Sequence, residues 1–168
     1  MTGHFWDNSR LGLFGHVVFS VLIVVQIVLC FFLYHPQLDW LEILGWVVLW
    51  ISAIFGVLPI YEMRKRGGVA KGESYMKTTQ LVDTGIFAIV RHPQFVAGFL
   101  IVFALPLITQ SCIIALLAIP GVVYFYVGLI EGDEDGIRKF GEDYEEYMRK
   151  VPRANFLLGI IRCLRRRH

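Results

Sequence analysis

Two polar clusters flank a long uncharged stretch of this 168-residue chain. Arg91-His92-Pro93 precedes the 36 residues 95–130, which carry no charge, and four acids stand among the next five residues, 131–135. If the uncharged stretch turns back on itself as a helical hairpin, both clusters reach the same membrane surface. A site built from them lies where a lipid-like substrate and a water-soluble cofactor can meet.

The Arg91-His92-Pro93 cluster has the features of an anion-binding helix start. His92 precedes a proline, which keeps its backbone out of the α region, and Pro93 suits the first turn of a helix. Free N–H groups and the helix dipole at such a start attract a carboxylate or a phosphate. The alternative is purely structural: Arg91 extends to the lipid headgroups and His92 caps the helix.

The acids at 131–135 need a cationic partner. At the C-terminal end of a transmembrane helix they face the negative end of the helix dipole, which costs about 0.3–1 kcal/mol for each of them. Arg91, Arg138 or a positively charged ligand can compensate this charge. A solvated loop before the next helix is the alternative.

The composition indicates an integral membrane protein. Hydrophobic residues make up 56% of the chain and charged residues 18%, against about 25% charge in soluble domains. A helix needs about 20 apolar residues to cross the hydrocarbon core, and the long uncharged stretch splits at its one polar cluster, Thr109-Gln110-Ser111. We therefore predict an all-α membrane fold with one domain over residues 1–168. Its four transmembrane helices, the last two forming a hairpin, are predicted at about 11–34, 41–61, 93–109 and 112–130.

The basic residues indicate the orientation of these spans. With four spans, all 16 Lys and Arg residues fall on one side of the membrane, as the positive-inside rule requires. Three spans would put the nine basic residues that follow Ile130 on the other side. We expect a multi-pass protein with both termini in the cytosol and residues 131–168 as a cytosolic tail.

The tail is predicted to form two further helices. Apolar residues recur at helical spacing across 137–151, and Pro152 ends that helix. Residues 155–167 combine an apolar face with a basic end, which is typical of a helix that lies in the plane of an anionic membrane surface.

Other polar residues of the spans receive structural interpretations. His16 and Gln26, within the first span, are interpreted as groups that hydrogen-bond to neighbouring helices. The three cysteines show neither paired spacing nor a metal-ligand pattern, so no metal site is predicted.

Two motifs resemble those of the integral-membrane methyltransferases. They are Leu81-Val82-x-x-Gly85-x-Phe87-x-x-x-Arg91-His92-Pro93-x-Phe95-x-x-Gly98 and Phe140-Gly141-x-x-Tyr144-x-x-Tyr147-x-x-x-Val151-Pro152-Arg153. This family includes isoprenylcysteine carboxyl methyltransferase and the phospholipid N-methyltransferases. The resemblance implies S-adenosylmethionine as methyl donor, bound from the cytosol, and a lipid or lipidated acceptor that enters between the spans.

Together with the charge pattern, the resemblance implies a set of site residues. The expected catalytic residues are Arg91, His92, Glu131 and Glu134. The expected contacts with S-adenosylmethionine come from the loop before the third span, the start of that span and the acidic cluster: Thr79, Gln80, Leu81, Val82, Phe87, His92, Pro93, Gln94, Phe95, Glu131 and Asp133. In this arrangement the helix start holds the donor's carboxylate, and the acids at 131–135 either balance its amino group or hydrogen-bond its ribose.

Several positions depart from the family pattern. Phe87 and Phe95 stand where the family commonly has Tyr, which removes two hydroxyl donors. The usual Glu-Glu pair falls on Gly132-Asp133, and the neighbouring Glu131 and Glu134 are the candidate replacements.

Gly128 bears on the acceptor, because carboxyl methyltransferases place an Arg there for the acceptor carboxylate. The absence of an Arg at this position weakens a carboxylate acceptor and favours a lipid amine or another nucleophile. The first candidate acceptor is a phospholipid amine and the second is a prenylated cysteine carboxylate. An amine must lose a proton before it attacks, and an acidic neighbour can accept that proton.

Two other functions are considered. Membrane sterol or steroid reductases use NADPH and a similar His-Pro-x-Tyr-x-Gly stretch, but an acid commonly follows their glycine, whereas Phe99 follows Gly98 here. A non-enzymatic membrane scaffold is the second alternative. A bilayer with anionic headgroups is an expected partner and nucleic acid is not, while the oligomeric state is left open.

Overall fold

The computed structural model describes residues 12–165, without the side chains of 12–14 and 16. Within this range six α-helices and one 3-10 turn are present, and no strand occurs. The helices are α1 (Gly12–Phe32), α2 (Asp39–Arg66), α3 (Pro93–Thr109), α4 (Cys112–Phe140), α5 (Glu142–Lys150) and α6 (Phe156–Arg165), and the 3-10 turn covers Gly85–Ala88. The prediction of an all-α fold is confirmed.

Two of these helices are long and apolar enough to cross a membrane. α2 and α4 contain 28 and 29 residues, with mean hydropathy of 2.3 and 2.4 in their most apolar segments. Shorter apolar helical segments lie at Val17–Phe32 and Pro93–Thr109. The two long helices agree with an integral membrane protein, and crossing by all four apolar helices stays a prediction.

The described chain forms two compact units. Unit 1 comprises the described residues up to Ser52 together with Gly98–Glu131, and unit 2 comprises Ala53–Ala97 and the described residues from Gly132 onward. In unit 1 the buried Gln26 side chain of α1 donates a hydrogen bond of 3.3 Å to the carbonyl oxygen of Ile114 in α4. This bond confirms the predicted role of Gln26. The side chain of His16 lies outside the described residues.

α4 continues beyond the predicted end of its span, as far as Phe140. The acids at 131–135 are therefore part of a helix and not of a loop. They also lie before the last turn of this helix, and the helix dipole acts strongly only within that turn. The expected dipole cost at a helix end at residue 130 was therefore wrong.

Gly141 ends α4 and separates it from α5. Its φ of +58° lies in the left-handed region that favours glycine. A helix cannot continue through this conformation, so the single helix predicted over 137–151 is wrong. α5 begins at Glu142 and ends at Lys150, directly before Val151 and Pro152.

Two glycines of α2 provide a matched test of the helix packing. A Cβ at Gly45 would lie 2.7 Å from Cγ1 of Ile108, whereas a Cβ at Gly56 would meet only Ala97, at 3.8 Å. Alanine in an open helical position stabilises by about 1 kcal/mol relative to glycine, but overpacking costs about 1–3 kcal/mol. We expect Gly45→Ala to lower the unfolding temperature of the detergent-solubilised protein and Gly56→Ala to keep or raise it. Equal effects of both substitutions would contradict this packing.

Candidate functional site

Four polar side chains of unit 2 converge on one buried carboxylate. The side chain of Asp133, on α4, is 5% exposed. Its Oδ1 lies 2.7 Å from Nε2 of His92 and 3.3 Å from Nη1 of Arg91. Oδ1 also accepts a hydrogen bond of 3.1 Å from the Tyr144 hydroxyl, and Oδ2 accepts one of 2.6 Å from Nε of Arg153. These five residues are called the Asp133 cluster below.

The cluster keeps Asp133 ionised. Burial alone would raise the pKa of its carboxyl, but the hydrogen bond and charge of His92, the charge of Arg91 and the hydrogen bond from Arg153 lower that pKa to about 2. A carboxylate only accepts hydrogen bonds, so the Nε2 of His92 carries a proton toward it. Burial and the neighbouring Asp133 raise the pKa of the Tyr144 hydroxyl, which therefore stays a neutral donor.

Two backbone hydrogen bonds position the side chains of the cluster. The N–H of Arg91 donates to the carbonyl oxygen of Pro152 at 3.1 Å, and the N–H of His92 donates to that of Arg153 at 3.3 Å. The chain just before α3 is thereby paired with the chain between α5 and α6. This pairing links the two sequence motifs and directs one arginine from each of them to the same carboxylate.

Two glycines of α4 allow His92 and Tyr144 to approach that helix. A Cβ at Gly132 would lie 2.7 Å from Cε1 of His92, and a Cβ at Gly136 would lie 2.3 Å from the Tyr144 ring. Glycines four residues apart share one helix face, so both rings pack along the same side of α4. The Glu that the resemblance leads one to expect at position 132 has no room beside His92 in this arrangement.

The guanidinium of Arg91 presents a hydrogen-bond donor, Nε, that no described residue accepts. The Arg91 side chain is 7% exposed. Among residues 12–165 neither Nε nor Nη1 has a hydrogen-bond partner, although Nη1 forms an ion pair at 3.3 Å with Oδ1 of Asp133. A guanidinium stays charged under all ordinary conditions, and a buried donor without a partner costs about 1–3 kcal/mol or more. Because α3 begins at Pro93, this donor lies beside a helix start, and the two features together suit an anionic group.

The other predicted residues near Pro93 lie around the start of α3. Pro93 is the first residue of the helix and Gln94 is half-buried in its first turn. The rings of Phe95 and His92 pack edge to face, with their centroids 5.8 Å apart.

The predicted contacts before and within the 3-10 turn lie along a separate stretch of unit 2. The N–H groups of Thr79 and Gln80 both donate to the carbonyl oxygen of Gly67, at 2.7 and 3.1 Å. Leu81 is half-buried, while Val82 and Phe87 are buried. The Phe87 carbonyl accepts a hydrogen bond of 2.6 Å from the hydroxyl of Tyr147.

Within the acidic stretch, Asp133 is the residue that contacts both Arg91 and His92. It was expected as a donor contact but not as a catalytic residue. Glu131 is half-buried and Glu134 is exposed, and the catalytic roles given to these two acids stay predictions.

Tyr144 and Arg153 were not among the predicted site residues. Both belong to the second motif, which was the available signal for them. Tyr144 and Arg153 reach Asp133 because the chain breaks at Gly141 and because residues 152–153 pair with the backbone before α3. Neither feature can be inferred from residue spacing.

Comparisons with known proteins give one family match and several relatives. The family model described as phospholipid methyltransferase matches residues 40–134. The nickel-cobalt-cadmium resistance protein NccN of Alcaligenes xylosoxydans xylosoxydans is 27% identical over 153 residues, which cover 88% of this chain and 65% of that protein. Methanethiol S-methyltransferase 2 of Bradyrhizobium diazoefficiens is 33% identical over 117 residues, 65% of this chain and 41% of that enzyme.

A third relative shows the same partial coverage. Methanethiol S-methyltransferase of Crocosphaera subtropica is 26% identical over 116 residues, which cover 65% of this chain and 42% of that enzyme. The chain thus spans less than two thirds of the length of each of these curated relatives. No solved structure matches it significantly.

Asp133→Asn tests whether the charge of the cluster stabilises the protein. Asparagine has nearly the same volume but leaves the two arginines without their anion, and removing one partner of a buried ion pair costs about 3–5 kcal/mol. We expect a clear fall in the unfolding temperature in detergent. Asp135→Asn is the matched control, because Asp135 pairs with Arg138 at the surface of the same helix, and it should change that temperature little.

The same proteins give a pH readout. A carboxyl whose pKa is lower in the folded than in the unfolded chain stabilises the fold above its unfolded value and loses that contribution as the pH falls through its folded value. The difference in unfolding temperature between wild type and Asp133→Asn should therefore stay constant above about pH 5 and shrink from about pH 4 towards pH 2. An Asp133→Asn protein as stable as wild type at neutral pH would contradict the role of the cluster.

Proposed function

Because the chain belongs to the phospholipid methyltransferase family, we propose that it transfers a methyl group from S-adenosylmethionine to a membrane-resident acceptor. The observation that carries this proposal is the buried Arg91 guanidinium at the start of α3, whose Nε finds no hydrogen-bond partner in the described part of the chain. A carboxylate is the group that fits such a donor. S-adenosylmethionine carries a carboxylate on its amino-acid end.

The members of the Asp133 cluster have different roles in this proposal. Arg91, together with the first turn of α3, holds the carboxylate of the donor. Asp133 is a positioning residue, because both of its oxygens already accept hydrogen bonds or ion pairs from the protein. Arg153 and Tyr144 hold Asp133 in turn, which keeps the guanidinium of Arg91 in place without a ligand.

The bound donor would supply an electrophilic methyl on its sulfonium, which an acceptor lone pair would displace while S-adenosylhomocysteine leaves with the electrons of the S–CH3 bond. The work of the protein is then to align the two reactants and to exclude water from them. An amine acceptor must also lose a proton. In this proposal Glu131 and Glu134 are the residues that accept the amine proton.

A phospholipid amine is the first candidate acceptor. The family model names phospholipids, and Gly128 leaves no cation at the position that a carboxylate acceptor needs. Within unit 1, an apolar groove of 260 Å³ between α3 and α4 suits an alkyl chain, and among its lining residues are Val102, Phe103, Leu107, Ala115, Ala118 and Val122. A prenylated cysteine carboxylate is disfavoured by the same glycine.

A thiol is the second candidate acceptor. Two relatives of this chain are named methanethiol S-methyltransferases, and a thiolate attacks a methyl sulfonium in the same way as an amine does. The family membership supports methyl transfer over the NADPH-dependent reduction and over a scaffold without activity.

We also propose that all four apolar helices cross the membrane, with both termini in the cytosol. α3 contains 17 residues, which at about 1.5 Å per residue falls somewhat short of a hydrocarbon core of about 30 Å. Local thinning of the bilayer compensates a difference of this size. The placement of all Lys and Arg residues on one side supports this orientation.

Donor binding tests the role of Arg91. We expect the purified protein to bind S-adenosylmethionine in calorimetry and to ignore NADPH. A hydrogen bond to a charged group is worth about 1.5–3 kcal/mol, so Arg91→Gln should weaken donor binding about tenfold or more. Arg138→Gln, at an exposed position of α4, is the control and should bind as wild type does. Unchanged affinity in a folded Arg91→Gln protein would refute the role of this arginine, and a preference for NADPH would refute the proposed function.

Methyl transfer identifies the acceptor. The protein in detergent is supplied with methyl-labelled S-adenosylmethionine and with a total lipid extract, a small alkyl thiol or a farnesylcysteine in parallel. We expect the label in a phospholipid that carries an amine headgroup. Label in the thiol alone would replace the first candidate by the second, and label in none of the three would count against the proposed reaction.

A further inference from the structure

One face of α6 packs against the rest of unit 2. A Cβ at Gly159 would lie 1.8 Å from the carbonyl oxygen of Ile89, so the backbone of α6 rests directly on that residue. The rings of Phe156 and Phe55 pack with their centroids 5.4 Å apart. α6 is therefore a docked element of unit 2.

The opposite face of α6 is apolar and exposed. At 3.6 residues per turn, Leu157, Ile161 and Leu164 lie about opposite Gly159, and their exposed fractions are 63%, 50% and 58%. Leu158 and Ile160, on either side of them, are exposed as well. Five of the ten residues of α6 thus carry large aliphatic side chains on an exposed apolar surface. Removal of such a surface from water is favourable.

We propose that this exposed face of α6 docks on a membrane surface that carries anionic headgroups. Arg162 and Arg165 are exposed on the same helix, and residues 155–168 contain four arginines and no acid. Apolar side chains of such a helix enter the boundary between headgroups and acyl chains, while its basic side chains meet lipid phosphates. This charge pattern argues for a lipid surface, since a purely apolar partner would leave the arginines without an anion.

Docking of α6 also bears on the Asp133 cluster. α6 follows closely after Pro152 and Arg153, whose carbonyls accept the N–H groups of Arg91 and His92. Ile89, on which Gly159 rests, stands two residues before Arg91. A membrane that holds α6 thus holds both sides of this backbone pairing. This consequence rests on the proposed function, whereas the docking itself does not.

Spin labels report what covers the exposed face. In a full-length chain with its three cysteines replaced by alanine, a nitroxide is attached at Ile161→Cys, and Leu164→Cys serves as a second reporter. Arg138→Cys on α4 is the water-exposed control. The proteins are reconstituted into nanodiscs of phosphatidylcholine with or without phosphatidylglycerol. The measurement is the accessibility of each label to oxygen, which concentrates in lipid, and to a water-soluble nickel chelate.

Docking predicts a high ratio of oxygen to nickel accessibility at 161 and 164 in anionic discs and a low ratio at 138. Replacing Arg162 and Arg165 by glutamine should lower the ratio at 161 about fivefold in anionic discs and little in neutral ones. Low accessibility to both reagents would mean a protein cover, such as a second copy of the chain, and would overturn the proposal. High nickel accessibility would mean exposure to water and would also overturn it. None of these readouts requires methyl transfer, so a failure here is distinguishable from a failure of the proposed function.

Discussion

A carboxylate removed from water must be neutralised by charges and hydrogen bonds, and the arrangement of unit 2 depends on how this is done for Asp133. Its partners come from three segments: the chain before α3, α5, and the chain between α5 and α6. The extension of α4 beyond residue 130 provides the position of the acid. The glycines on the same face provide room for the rings of His92 and Tyr144. The backbone pairing at 152–153 brings the second arginine.

The features that follow from hydrophobicity and charge could be predicted from the sequence. The predicted break at 109–111 coincides with the end of α3 and the start of α4. A polar cluster is where an apolar stretch is interrupted at the lowest free-energy cost. The expectation that Arg91 helps to compensate the acidic stretch also holds, since a buried charge of either sign needs a partner. The resemblance to the membrane methyltransferases agrees with the family match over residues 40–134.

The features that depend on tertiary placement could not be predicted. Charged residues continue a helix in water as well as apolar ones do, so the end of α4 was not visible in the hydropathy. The helical periodicity runs across Gly141, because the positive φ of a glycine leaves no trace in the pattern of apolar residues. Of the four acids, Asp133 contacts His92, and this contact depends on how the His92 ring packs against α4 at Gly132. The contact is a property of the fold and not of residue spacing.

In the proposed function, the Asp133 cluster holds Arg91 ready for the carboxylate of a methyl donor. Both carboxylate oxygens of Asp133 accept hydrogen bonds from the protein, whereas within residues 12–165 Nε of Arg91 has no hydrogen-bond partner and Nη1 has only its 3.3 Å ion pair with Asp133. A purely structural ion pair does not need such an unused donor. An experimental structure of the full-length protein with bound S-adenosylhomocysteine tests this directly. The ligand carboxylate should lie within about 3 Å of Nε of Arg91, with Asp133 still bonded to His92 and Arg153. A ligand bound with its carboxylate elsewhere, and Nε of Arg91 still without a partner, would contradict it.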